Sequence, residues 1–184
     1  MCHYLTATLP HAVDLKAVSS VFETYKLGFA LISNPHVAAQ IDSHAWYVLT
    51  SGGNCDCGTA LGSVTHTKVL SYDREVKKFR TQGWSEAKIN RWLEQKEQTR
   101  DRHQREDDAR AKGGSREIER WIELLNELLK TQVASKVGLL LHWYVTSVES
   151  ERIQIQCKER VRRAELNAER LMRMEEDVLY EFVL

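Results

Sequence analysis

Residues 3–9 (His-Tyr-Leu-Thr-Ala-Thr-Leu) carry the pattern of a first strand, which Pro10 stops. Asp14 then caps an amphipathic helix. Leu15, Val18, Val21, Phe22 and Tyr25 fall on one face of it, and Gly28 stands where such a helix ends. Phe29–Ile32 is a short apolar run followed by the turn pair Asn34-Pro35. Trp46–Thr50 reads as another strand, Ser51-Gly52-Gly53-Asn54 as a tight turn, and residues 55–64 as a returning hairpin partner. Residues 1–71 therefore predict a β-α-β-β arrangement.

The periodicity changes at residue 72. Residues 72–82 predict a short helix, Gly83 interrupts it, and Ser85 opens a second helix carrying Ile89, Trp92 and Leu93. Lys96–Lys112 holds hardly an apolar residue, so it is either a solvated helix held by charge pairs one turn apart or a disordered segment. With Gly113-Gly114 as a hinge, residues 72–113 read as a charged helical arm projecting from the core. Ser115 is the next N-cap, and Ile118, Trp121, Ile122, Leu125, Leu128, Leu129 and Val133 form a wide apolar face. Residues 136–146 follow as a buried strand. Thr146 and Glu149 stand at capping-box spacing, and Ile153, Cys157, Val161, Ala164, Ala168 and Leu171 recur every three to four residues, which predicts one long C-terminal helix. Residues 178–183 either complete that helix or form a last edge strand. Residues 114–184 thus complete the core begun by 1–71. The expected fold class is α+β: one domain with a small mixed or antiparallel sheet packed by helices, a projecting charged helical arm and a long C-terminal helix.

Charge narrows the function classes further. Among 184 residues Lys+Arg and Asp+Glu each number 26, a balance without the basic excess of a dedicated polyanion binder. A chain of this length buries about 70% of its extended surface, so it needs no metal or disulfide merely to fold. The longest apolar stretch, Val137–Val145, is broken by Gly138 and His142 and falls far short of the about 20 residues of a membrane span. The opening lacks the basic and apolar regions of a secretory signal. That points to the cytoplasm and to free thiols at Cys2, Cys55, Cys57 and Cys157.

Asn54-Cys55-Asp56-Cys57-Gly58 is the most distinctive local sequence. In an extended segment Cys55 and Cys57 point to one face. Cys2, with His3 beside it, lies in the first strand and can approach them, and His142 in the strand near 140 is a candidate fourth ligand. Such a set is what a zinc site needs, so zinc is the candidate cofactor, although none is required. The C-x-C spacing is shorter than zinc knuckles use, and the same thiols also read as small buried hydrophobes beside a turn that needs Gly58. His142 likewise reads as a hydrogen-bonded core residue.

Cys2 directly follows Met1, where trimming of the initiator leaves an N-terminal cysteine. That opening resembles the class II glutamine amidotransferases and the SRAP abasic-site proteins. The resemblance implies Cys2 as a nucleophile whose proton the α-amino group helps to move. It covers two residues, and His3 stands where those families usually carry Gly. No G-x-S-x-G, P-loop, G-x-G-x-x-G or H-E-x-x-H occurs, and pairs such as Glu175-Glu176 read as charged helical faces. The chain therefore reads as non-enzymatic.

Arg74–Leu93 has the form of a helix-turn-helix, with a Gly turn, a Ser cap, and Lys77, Lys78, Arg80, Lys88 and Arg91 available to phosphates. The same segment also reads as a plain αα corner. An ordered core with a long charged arm and no complete catalytic motif suggests work by contact, as an inhibitor, immunity-type protein or adaptor. Trp84, Lys88, Arg91 and Trp92 are then the partner-binding candidates. The expected partner is another protein. Nucleic acid at 74–93 is the alternative, an enzyme using Cys2 a further one, and the long helices suit a homodimer.

Overall fold

The computed structural model describes residues 2–52, 55–62, 76, 79, 80 and 84–184, the side chains of 96–113 excepted. Most of the expected helix 72–82, its Gly83 turn and the charged side chains of the arm lie outside the described residues. The chain divides into two compact units, 1–64 with 114–184, and 65–113.

In the larger unit β1 (Cys2–Leu9) lies inside a six-stranded sheet. It pairs antiparallel with β3 (Trp46–Leu49) on one side and with β4 (Lys136–Tyr144) on the other. β2 (Ala30–Ile32) flanks β3, and β6 (Val178–Val183) pairs antiparallel with β4. β5 (Cys157–Arg162) closes the far edge parallel to β6, so the sheet is mixed and the class is α+β.

Side chains alternate across a strand, and the register sets Leu5 opposite Leu141 and Ala7 opposite Leu139. That face receives Val18 and Phe22 of α1 (Leu15–Thr24) and Leu124, Leu125, Leu128 and Leu129 of α3 (Glu86–Lys130). Each of these side chains is fully removed from water, contributing about 2 kcal/mol apiece. The opposite face carries Leu140, Tyr144, Tyr47 and Leu179 beneath Val37 of α2 (Pro35–Ala38), Ile41 and Ile153. Asp14 caps α1 as its sequence position implies, accepting from the amides of Lys16 and Ala17. Among the described residues no helix is long and apolar enough to cross a membrane.

Three expectations are corrected. The long C-terminal helix does not form: residues 157–162 are β5, Arg163–Glu165 a 3-10 turn, and Ala168–Met172 a short α4. Ile153, Cys157 and Val161 are four apart, an even spacing that keeps residues on one side of a strand as well as of a helix. Parallel pairing with β6 decides between them, and β6 itself lies between β4 and β5 rather than at the edge. Thr146 caps no helix, because its amide donates to Glu151 Oε2 at 2.6 Å within a turn. Ser115 opens no helix but lies inside α3, as do Gly113 and Gly114. A Cβ on Gly114 would come to 3.0 Å from the Ala60 side chain, so a larger residue there would have to press Ala60 aside by a few tenths of an ångström.

Asn34 is the pin of the second face. It is 1% exposed, its Oδ1 accepts from the amides of His36 and Val37, and its Nδ2 donates to the carbonyls of Val148 and Glu151. Asn34→Ala is expected to cost about 2–4 kcal/mol, a cap plus two unpaired carbonyls. Asn34→Asp keeps the cap but turns a buried carboxylate oxygen toward the two carbonyls, so it should cost at least as much. Urea unfolding of the two variants measures the difference.

Candidate metal centre

β3 ends at Leu49, opposite Thr6, while β1 runs on to Cys2. The amides of His3 and Leu5 face the side that β3 no longer covers. Unpaired amides cost free energy when buried, and here side chains replace the missing strand. Thr50 marks the handover: its amide and its hydroxyl both donate to the Leu5 carbonyl, at 3.3 and 2.6 Å. The Leu5 amide then donates to Asp56 Oδ2 at 2.7 Å, and the His3 amide donates to Cys57 Sγ at 3.1 Å. Residues 55–62, the described part of the expected hairpin partner 55–64, are therefore not a strand. They hold a 3-10 turn, Asp56–Gly58, that caps β1 with side chains.

The turn is fastened on its other side. The Asp56 carbonyl accepts from the amide and hydroxyl of Thr59, and Thr59 Oγ1 in turn accepts from the Gly62 amide. A Cβ at Gly62 would fall 2.0 Å from the Asp56 carbonyl oxygen, so only glycine permits this closure. The Ala60 amide donates to Glu117 Oε2 of α3 at 2.9 Å. Asp56 is 8% exposed, and burial pushes its carboxyl up to about 6. The Leu5 amide opposes that rise and Glu117 adds to it.

With the turn so placed, the Sγ atoms of Cys2, Cys55 and Cys57 all lie within 4.8 Å of one another, and all three residues are half-buried. Their protons are shared unequally. The Cys57 amide, followed by hydrogen bonds with the Cys2 and Cys57 thiols, holds Cys55 below the ordinary thiol range. The Cys2 thiol is pushed up, chiefly by its hydrogen bond with Cys55. Three sulfurs at this separation, with backbone amides directed at two of them, can hold a soft or borderline metal ion. All four cysteines are free thiols, and Cys157 is exposed on β5.

His142 is not drawn into this group of ligating atoms. Its Nδ1 pairs with Asp177 Oδ1 at 2.5 Å, and its ring meets Tyr144 edge-on. His3 is held similarly, Nε2 against Glu176 Oε1 at 2.5 Å and ring against Trp143. Glu176 thus faces a histidine in a non-helical segment, not a solvated helical face. Neither Asp56 nor Glu176 stands out by spacing. The available signal for Asp56 was a lone acid between two cysteines in an otherwise small-residue turn.

In the smaller unit Trp84 stacks on Phe79 at 4.3 Å, Trp92 meets Phe79 edge-on, and Lys88 Nζ lies 3.8 Å from the centre of the Trp84 ring. Arg91 is exposed. Ser85 opens α3, accepting from the amides of Lys88 and Ile89 at its carbonyl. The chain matches no family model, no curated protein and no solved structure.

Asp56→Ala leaves the Leu5 amide unpaired in the interior and is expected to cost about 1–3 kcal/mol. Asp56→Asn keeps an acceptor oxygen there and should stay within about 1 kcal/mol of the parent. Denaturant midpoints of the metal-free, reduced proteins test this pair.

Proposed function

We propose that this is a zinc-binding protein whose centre is formed by Cys2, Cys55 and Cys57. The observation that carries the reading is the approach of the three sulfurs to within 4.8 Å of one another. Zinc–sulfur bonds of about 2.3 Å at tetrahedral angles place sulfurs about 3.8 Å apart, about 1 Å inside the upper limit of the separations here. The Cys57 amide directed at Cys55 favours its thiolate, the form that ligates. Three protein ligands leave the fourth position for water or an exogenous ligand. The raised Cys2 thiol fits a ligand that gives up its proton to a metal better than a nucleophile poised in the free protein.

The contact reading gains less support, since Trp84 and Trp92 already pack on Phe79 within their own unit. A reducing compartment, the cytoplasm, suits three neighbouring thiols that remain free. Bound metal would tie the first strand to the turn and thereby add to folding stability.

The reduced protein is expected to take up one equivalent of zinc in competition with a chromophoric chelator and to unfold at higher temperature when loaded. Serine at position 2, 55 or 57 should weaken binding by about 100-fold or more, while Cys157→Ser leaves it unchanged. Uptake that is absent, or equally sensitive to Cys157→Ser, contradicts the proposal.

A further inference from the structure

Three reduced thiols that can hold a metal can also react with one another. The sulfurs of Cys2, Cys55 and Cys57 lie within 4.8 Å of one another, and all three residues are half-buried, so a small oxidant has access to them. A disulfide sets its sulfurs at about 2.05 Å, so any two of these must close by at most about 2.8 Å.

The three sulfurs are not equally placed to pair. The Cys2 thiol hydrogen-bonds chiefly with Cys55 and least with Cys57. Cys57 Sγ is already engaged by the His3 amide, at 3.1 Å, in place of a ladder bond. A bridge between Cys55 and Cys57 would close a small ring through Asp56, whose carboxylate is held on the Leu5 amide at 2.7 Å. Strain of that kind makes a disulfide easily reduced. Cys2 is less restrained. It is the first residue of β1, beyond the reach of β3 and paired there with β4 alone, and strand ends open at little cost. The Leu5–Asp56 and His3–Cys57 hydrogen bonds already set the start of β1 beside the turn, so a bridge from Cys2 to Cys55 joins neighbouring segments. Cys157, exposed on β5 with β4 and β6 between it and β1, is an internal control.

We propose that the metal centre is redox-gated: oxidation by a peroxide joins Cys2 to Cys55 as a disulfide, which leaves Cys57 alone and shuts metal out. One thiolate of the pair attacks a peroxide oxygen, the O–O bond breaks, and hydroxide leaves to be protonated to water, giving a sulfenic acid. The second thiol attacks that sulfur, the S–S bond forms, and the S–O bond breaks as a second water departs. Two electrons pass from the sulfurs to the peroxide, so two thiols and one peroxide become one disulfide and two waters. Two equivalents of a low-molecular-weight thiol reverse the step by exchange. Bound zinc, by holding the sulfurs about 3.8 Å apart, opposes it. The gate rests on the metal reading above, whereas formation of the bridge depends on the sulfurs alone.

The test uses the full chain, reduced and metal-free, with hydrogen peroxide as the oxidant. Zinc uptake by the reduced protein is read first, against a chromophoric chelator. After oxidation the remaining thiols are alkylated and the digested protein is mapped by mass spectrometry. The expected product is a Cys2–Cys55 cross-link with Cys57 and Cys157 alkylated. Zinc affinity should fall by about 100-fold or more and return with dithiothreitol, and zinc added beforehand should slow the bridge by about tenfold or more. Cys57→Ser retains the pairing sulfurs and should form the same bridge, whereas Cys2→Ser should form none. A reduced protein that takes up no zinc overturns the metal reading and the gate with it. Where zinc is taken up, the gate alone is overturned by a bridge that fails to form, joins another pair of cysteines, forms as fast with zinc present or leaves zinc affinity undiminished.

Discussion

The structure depends on how one strand is completed beyond the reach of its neighbour. β1 is the strand on which both faces of the larger unit are built, yet β3 pairs with it only from Thr6 to Leu9. Its first amides are paired by an aspartate oxygen and a cysteine sulfur where a ladder would otherwise continue. Side-chain acceptors have a consequence that a strand does not. They come from a tight turn, and the residues alternating with Asp56 in that turn are the cysteines, which arrive beside Cys2 because Asp56 is anchored on Leu5. The thiol group is in this sense a product of strand capping. Its geometry is set by Gly62, Thr59 and Glu117, none of which is a ligand.

The same anchoring buries the carboxyl of the residue that separates the two cysteines in sequence. A carboxyl with its range raised to about 6 is a destabilising element that the fold retains. Replacing it with an apolar group would remove the acceptor that holds β1, so the cost is met where the strand needs it. One short segment therefore serves both the sheet and the sulfurs.

The parts legible in the sequence were those governed by local rules. Strand 3–9, the helix capped by Asp14, the apolar face from Ile118 to Leu129 and the strand from Lys136 follow from periodicity and capping, and the structure has them. The C-terminal region was misread because Ile153, Cys157 and Val161 satisfy both periods, and only pairing with β6, a tertiary fact, breaks the tie. Ser115 was misread as an N-cap because a serine after two glycines has the local form of a helix start, whereas α3 runs through all three. At the site, the C-x-C pair and Cys2 were legible as thiols able to meet. The aspartate between them and the pairing of His142 with Asp177 were not, since both depend on register between distant strands.

Zinc K-edge X-ray absorption of the protein loaded with one equivalent of metal tests the central claim most directly. The account predicts three sulfur neighbours at about 2.3 Å with one lighter atom completing the shell. A shell made only of nitrogen and oxygen at about 2.0 Å, or one with a single sulfur, would contradict it.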